Sequence, residues 1–599
     1  MQKTDIITPE QTNTLSEAFR VRARRTPDAV AYVQYDEKSE RWQNYSWAET
    51  EREILRWREA LSKDGLNPGD RVAIMLRNCR EWVIFDQAAL GLGLVTVPIY
   101  TNDRPQNIGY ILEDAGVRIF LLEDDEQWQR LREIHDQLAG LTRVISLEPV
   151  ETAEPASIVT YAAEWLPDNP TKSEDPVIDP DGLASIVYTS GTTGKPKGVM
   201  LSHNNFLWNV WASLKMVKFY PEDRMLSFLP LSHALERTGG YYLPVIAGSS
   251  VAFARSVAQL ADDLLTIKPT ILISVPRIFE RVYGKIQEKL HAGPAISRKL
   301  FESAVNIGYR RFEHSQGRAD WSPSLLAWPL LEKLVAKKVQ ERLGGRLRFA
   351  VSGGAPLSAE IARLFIGLGI NIQQGYGLTE TSPVITANSI EDNVPASVGT
   401  PVEGVEIRVG EYDELLTRGR CVMMGYWNQP EATREVIEPD GWLHTGDQVK
   451  IENGHVFITG RLKDIIVLAN GEKLPPADME MAIALDGIFD QVMVLGEGRP
   501  YLTALVVLNT DELSSLAVEL GLDSNSDKLI SDDRINQEIL KRINTQLGDF
   551  PGYAQIRRVG LIGEPWDIDS GFMTPTMKLR RAKIIKRYDD LIESLYEGH

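Results

Sequence analysis

Cysteine is nearly absent: Cys79 and Cys421 are the only two in 599 residues. Two thiols cannot build a disulfide framework or a four-cysteine zinc site, so both are expected as reduced packing residues of a cytosolic protein. No other His, Cys, Asp or Glu cluster suggests a zinc centre or a nucleophilic triad, and the G-x-S-x-G elbow is missing. Positive charge is in deficit. Lys and Arg number 65 against 83 Asp and Glu, a net −18, and an acidic surface repels phosphate backbones, so nucleic acid is not an expected partner.

Long apolar runs are missing too. The first twenty residues hold no secretory h-region, and no stretch reaches membrane-spanning length. A cytoplasmic location follows as the expectation. The most hydrophobic helical stretch, 325–343, repeats Leu326, Leu330, Leu331, Leu334, Val335 and Val339 around Lys333, Lys337 and Lys338. That spacing reads as an amphipathic helix packed on the core, with peripheral contact at a membrane surface as the alternative.

What is present is enough for several lobes, since 599 residues exceed a single core. From Arg71 the chain alternates strand (71–76), helix (to Gly93), strand (95–100), helix (107–116) and strand (117–124). The theme returns at 249–276 and 346–377. Strand, helix, strand at this pitch predicts βαβ units and a largely parallel sheet. Residues 167–181, rich in Pro and Asp, read as an exposed connection. Near Val449 the texture changes: Asn453-Gly454 between two alternating runs marks a tight hairpin. The fold class expected is α/β, with a large N-terminal body of βαβ sheet lobes over 1–460 and a small α+β domain over 461–599.

The strongest local signal is YTSGTTGKPKG at 188–198, directly after the apolar LASIV. Its glycines let the backbone approach an anion, its hydroxyls donate to phosphate oxygens, and Lys195 and Lys197 add charge. The Walker spacing is not met, because two residues separate Gly191 from Gly194 and Pro196 follows Lys195. A P-loop phosphohydrolase is therefore disfavoured.

In this segment the chain resembles the adenylate-forming, or AMP-binding, enzymes: acyl-CoA synthetases, peptide-synthetase adenylation domains and luciferases. Further motifs match in the family's order. They are LPLSH (229–233), SGGAP (352–356), GYGLTET (375–381), GWLHTGD (441–447), GRLKDIIVLANG (460–471) and TPTMKLRR (574–581). The length and the wording of several motifs look most like bacterial long-chain fatty acyl-CoA synthetases.

The resemblance implies a role for each segment. Thr189, Ser190, Gly191, Thr192, Thr193, Gly194 and Lys195 would hold the β- and γ-phosphates of ATP. Glu380, with Thr189, would hold Mg²⁺. Gly353, Gly354, Ala355 and Pro356 would approach adenine, with Gln374, Gly375, Tyr376, Gly377 and Thr379 beside the nucleotide and Tyr376 stacking on the base. Asp447 would take the ribose hydroxyls, assisted by Arg461. His233 would sit at the acyl carboxylate and position substrate without transferring a proton. Lys578 would be the catalytic lysine, with Lys195 and Glu380 also at the chemistry. The small domain would swivel about Lys463 between two poses, and the turn at Gly471 would swing beside the pantetheine of CoA.

The implied reaction joins a fatty acid to CoA through acyl-AMP, with pyrophosphate and then AMP released, in a monomer or homodimer. Rival readings are a ligase loading a carrier protein, an aryl or medium-chain acid–CoA ligase, a non-catalytic nucleotide- or lipid-binding relative, and a phosphohydrolase. An apolar acyl tunnel discriminates by only about 1–3 kcal/mol per methylene, so a broad chain-length preference is expected.

Overall fold

The alternation that begins at Arg71 folds as its pattern requires. Strands Arg71–Met75, Val95–Pro98 and Val117–Leu122 flank helices Arg80–Leu90 and Pro105–Asp114, and the three strands pair in parallel. The computed structural model describes residues 3–151, 158–170, 176–189, 195–524, 529–548, 550–574 and 578–597. The described parts of the 167–181 connection hold neither helix nor strand.

An eight-stranded sheet runs in the order Gly425–Tyr426, Lys197–Ser202, Leu183–Thr189, Val95–Pro98, Arg71–Met75, Val117–Leu122, Arg143–Ser146 and Val159–Tyr161. Leu183–Thr189 and Lys197–Ser202 form an antiparallel hairpin with Thr189 opposite Lys197. A nine-stranded sheet is parallel through its middle, from Ser250–Phe253 through Arg224–Ser227, Ile271–Ser274 and Phe349–Ser352 to Ile372–Gly377. Its edges are antiparallel. Such a parallel middle must be covered on both faces. Ser250–Phe253, Ile271–Ser274 and Phe349–Ser352 are accordingly mostly apolar and almost wholly buried, whereas Ile372–Gly377 carries the polar residues that reach the cavity.

Between the sheets lies Arg80–Leu90, whose Trp82, Val83, Ile84, Phe85, Ala88 and Ala89 are all buried in one shared core. A helix apolar on every side can only be an interior helix. It also carries Asp86, which pairs with Arg237 where neither side chain is exposed. The hydroxyls of Tyr241 and Tyr242 donate to Asp86 Oδ2, and Arg237 donates to the hydroxyls of Ser185 and Thr96. Because three donors meet the carboxylate, the pair is tolerated; removing one partner from such a site costs about 3–5 kcal/mol.

The hairpin at Asn453-Gly454 is present, with φ of 51° and 84°, the left-handed values of a tight two-residue turn. It joins Leu443–Glu452 to His455–Arg461 in a four-stranded antiparallel sheet.

Beyond Arg461 comes a three-stranded sheet of Phe489–Leu495, Leu502–Leu508 and Ile556–Ile562. Its side chains sort by the period of two. Val492, Val494, Ala504 and Val506 face a core shared with helices Pro476–Ile483 and Asp533–Gln546. Met493, Leu495, Leu505 and Val507 face a second core with Ile584, Ile592 and Leu595. The sheet is thus sealed on both faces by its own helices, as an independent small lobe requires.

The stretch 325–343 is helical as expected but of uneven pitch: Pro323–Ala327, Trp328–Leu331, Glu332–Ala336 and Lys337–Arg342 follow one another without a break. Trp328, Leu331 and Ala336 are buried, and Trp328 closes on Gly308 of helix Ala295–Ser315. Leu326, Leu330 and Leu334 are 73%, 62% and 43% exposed. Core packing therefore holds for only one side of the stripe.

Candidate active site

The carboxyl ends of parallel strands from both large sheets converge on one cavity of about 670 Å³. Pro98 and Thr189 reach it from one sheet, and Ile273, Val351 and Gln374 from the other. Open α/β sheets place their ligands at this end, where loops diverge.

One wall is apolar. Met216, Val217, Phe219, Leu243, Ile273 and Val351 line it. Gly239 lies against Ile273, and a Cβ there would meet the isoleucine side chain at 2.5 Å. His233 lines the same cavity. Asn78 pins the loop carrying it: the amide donates to Leu229 O at 2.6 Å and accepts from Leu231 N at 2.9 Å. His233 Nδ1 in turn accepts from Leu235 N. Burial, then the charge of Lys578, pushes the His233 pKa down to about 4. The imidazole is neutral at physiological pH, consistent with positioning rather than proton transfer.

The opposite wall is polar. Gly353, Gly354, Gln374, Gly375, Tyr376, Gly377, Thr379 and Glu380 all line the cavity. Gln374 Oε1 accepts from Leu357 N, bracing the loop of small residues. In that loop Ala355 and Pro356 are exposed and are not among the lining residues. Asp447 is buried and accepts from Tyr376 Oη at 2.6 Å and Arg461 Nε at 2.9 Å. Glu380 Oε1 accepts from Tyr426 Oη at 2.8 Å. Arg461 and Lys463 reach the same space from the end of the four-stranded sheet and the turn after it.

Lys578 arrives from the other lobe. It lines the cavity with His233, Glu380 and Arg461. Its backbone is tied down twice: Lys578 N donates to Thr574 Oγ1, and Thr574 N donates to Lys578 O. Lys578 is exposed by its surface area, yet partial desolvation in the cleft and then Arg461 lower its pKa, while Asp447 and Glu380 act the other way. A cation held among anions and another cation is poised to meet an anionic substrate.

Other expected residues fall elsewhere. Ser190, Gly191, Thr192, Thr193 and Gly194 lie outside the described residues. Lys195 is not among the lining residues; its Nζ stands 4.7 Å from the Tyr110 ring centroid. Lys197 lines the cavity, over the Tyr426 ring at 4.9 Å. Gly471, with φ of 87°, turns between Ile466–Val467 and Lys473–Leu474 and does not line the cavity in this pose.

Sequence reasoning missed Tyr426, Lys197 as a wall residue, and the Glu414–His444 pair. His444 Nδ1 contacts Glu414 Oε2 at 2.8 Å and Nε2 contacts Glu438 Oε1 at 3.1 Å. Glu414 Oε1 accepts from Gly446 N, so the pair holds the turn before Asp447. The two hydrogen-bonded carboxylates raise the His444 pKa against the opposing effect of burial. Its place inside GWLHTGD was the available signal.

One constellation looks hydrolytic and is not. Ser397, His455 and Asp392 stand in hydrogen-bonded order. Ser397 is fully buried, and its hydroxyl also contacts Val394 O and Gly399 N. A nucleophile needs an open face, so the three brace a loop. Among the described residues no group of three or more His, Cys, Asp or Glu is arranged to hold a metal ion.

Fold and cleft together define an α/β enzyme scaffold whose small C-terminal lobe places Lys578 against a cavity walled by the large body. The chain belongs to the AMP-binding enzyme family: the family's main domain matches residues 19–427, and the AMP-binding enzyme C-terminal domain matches 463–599. It is 30% identical to long-chain-fatty-acid–CoA ligase FadD15 of Mycobacterium bovis, over 96% of this chain and 95% of that one. It is 31% identical to the peroxisomal long chain acyl-CoA synthetase 6 of Arabidopsis thaliana, over 93% of this chain and 82% of that one. Among solved structures, ATP-bound MatB from Rhodopseudomonas palustris shares the fold with a TM-score of 0.70 at 23% identity, covering 96% and 99%. The adenylation domain of a carboxylate reductase from Mycobacterium chelonae does so with 0.76 at 22% identity, covering 97% and 91%.

Proposed function

We propose that the chain activates a long-chain fatty acid with ATP and transfers the acyl group to CoA. In the first step a carboxylate oxygen bonds to the α-phosphorus, the bond from that phosphorus to the bridging oxygen breaks, and pyrophosphate departs. In the second the CoA thiolate bonds to the acyl carbon and the carbon–oxygen bond to AMP breaks. The observation that carries the reading is Lys578, delivered from the small lobe into a cleft bounded by His233, Glu380 and Arg461. Pure binding does not need a cation brought in from a second domain; an attack between two anions does. The full-length ligase relatives support the choice of acid.

In this reading Tyr376 and the Gly353–Gly354 turn flank the base, and Asp447 takes the ribose while Arg461 steadies it. Asp447 retains lone pairs for this, since a carboxylate offers about four acceptor positions and two are taken. The 188–198 loop, with Thr189 and Lys197 at its described ends, takes the phosphates. Glu380 and Thr189 offer the hard oxygen donors that suit Mg²⁺, and both line the cavity. When bound, that ion would supply positive charge at the triphosphate. The body extends past the expected boundary at 460, since Arg461 and Leu462 are held to the four-stranded sheet, and the chain beyond the pivot at Lys463 acts as the moving lobe. The apolar wall takes the acyl chain.

A second reading, delivery to a carrier protein, is favoured by one relative. The chain is 29% identical to a chloroplastic long-chain-fatty-acid–[acyl-carrier-protein] ligase, AEE15, of Arabidopsis thaliana, over 96% of this chain and 86% of that one. Pyrophosphate release measured across fatty acids from short to long, each with and without CoA, tests both. CoA-dependent multiple turnover with AMP release supports the CoA ligase. Accumulation of acyl-AMP that CoA does not discharge supports carrier delivery, and ATP cleavage without any acid refutes both.

Exposed Leu326, Leu330 and Leu334 beside exposed Lys333, Lys337 and Lys338 support peripheral contact with an anionic membrane, the phase in which such acids dissolve. No helix among the described residues is long and apolar enough to cross one.

A further inference from the structure

The lobe bearing Lys578 is held against the body by contacts that no motif announces. Arg104 Nη2, on the body, donates to Asp569 O at 2.8 Å, and Arg277 Nη2 donates to Asp490 O at 2.8 Å. Arg104 is the better placed of the two. It immediately precedes helix Pro105–Asp114 in extended conformation. Its backbone is fixed there, because Asp103 Oδ1 accepts from Arg104 N and from Asn107 Nδ2, each at 2.8 Å. Both Asp103 and Asn107 line the cavity.

Across the cleft the guanidinium rests on a tight turn. Ser570 N donates to Asp567 Oδ1, Gly571 N donates to Ile568 O, and Gly571 has φ of 77°. A Cβ built on Gly571 would overlap the Arg104 guanidinium itself. The backbone favours glycine here, and any larger residue would displace the arginine lying on the turn. From this turn the chain runs straight into the lysine segment. Arg580 N donates to Phe572 O, Met573 bridges Leu579, and Thr574 and Lys578 exchange two hydrogen bonds. A shift at Gly571 is therefore carried along a closed ladder to Lys578.

We propose that Arg104 is a positioning residue for adenylate formation, a latch that seats the Lys578 ladder in the cleft through Asp569 and Gly571. The inference rests on the two-step ligase reading. The latch must part when the lobe rotates for thioester formation, so it serves the first half-reaction and is idle in the second.

The test separates the two half-reactions in the full-length enzyme. Adenylate formation is followed as single-turnover pyrophosphate release without CoA, and thioester formation from supplied acyl-AMP and CoA. Arg104→Ala is expected to slow the first by about 10–100-fold, as sub-ångström to ångström misplacement of a catalytic group does, and to leave the second within about twofold. Lys578→Ala should give the same split with larger amplitude. Arg104→Lys should recover part of the loss. Gly571→Ala should mimic Arg104→Ala, and should cost less when Arg104 is already Ala, since the overlap is then gone. Spin-label distances between the lobes in the ATP complex should broaden in Arg104→Ala. Equal loss in both half-reactions, or wild-type adenylation in Arg104→Ala, overturns the latch and leaves the ligase reading standing. A wild-type chain without acid-dependent pyrophosphate release overturns that reading and the latch with it.

Discussion

Glu236 follows the cavity's His233 and Leu235 in sequence, yet its carboxyl is turned into the protein, where Oε2 finds no partner. Burial raises its pKa to about 8, a Ser227 hydrogen bond opposing only weakly. Gly240 is what makes room for it, since a Cβ there would strike the carboxyl group. The acid is protonated in the fold at pH 7, and the pH sign follows. Its folded pKa stands above the unfolded value near 4.5, so its share of stability is intact below about 4.5 and lost as pH rises through about 8. Glu236→Gln keeps the shape and removes the titration. The substitution should raise the apparent unfolding temperature more at pH 8 than at pH 5 in a thermal scan. An equal shift at both values would mean that the carboxyl is not neutral in the fold.

Among the elements, 323–342 holds the instructive mismatch. A leucine every third or fourth residue is the mark of one buried face, but Leu326, Leu330 and Leu334, spaced by four, form a stripe on the exposed side, while Trp328, Leu331 and Ala336 are buried. Each exposed leucine offers about 1.5–3 kcal/mol if an apolar phase covers it. Replacing all three by Ser should abolish co-sedimentation with vesicles of anionic phospholipid while sparing pyrophosphate release with a water-soluble short acid. Unchanged sedimentation would remove the membrane role. Local chemistry was legible elsewhere. The Asn453-Gly454 turn and the βαβ runs were readable because their causes lie within a few residues. The partners of the site acids were not. Tyr426 is 46 residues from Glu380, Tyr376 is 71 from Asp447, and Glu414 is 30 from His444. Arg104 stands 465 residues from the carbonyl it holds. Nothing local encodes such pairings, which exist only once the sheets have brought strand ends together.

At the scale of the whole molecule, the proposed function asks one cleft to serve two reactions with one lysine. In the pose seen here Lys578 lines the cavity and Gly471 does not, which is the arrangement that adenylate formation needs in the proposed two-step reading. Thioester formation needs the reverse. The rotation must be absorbed where the lobes join, between Arg461, which still pairs with Asp447 in the four-stranded sheet, and Asp464, whose N donates back to Arg461 O. Leu462 is tethered as well, its N donating to Gly446 O. Lys463 lies between these anchors, and a change of φ there turns the small lobe as a body without unpacking its two sealed cores. Proline at this position fixes φ near −65° and restricts the residue before it. Lys463→Pro is therefore expected to keep adenylate formation within about an order of magnitude and to slow thioester formation by about a hundredfold or more, since that step alone demands a hinge change. Rapid-quench measurement of the two half-reactions decides it. Loss of both together would place the pivot elsewhere, and loss of adenylation alone would mean that the pose with Lys578 in the cleft is the one proline forbids.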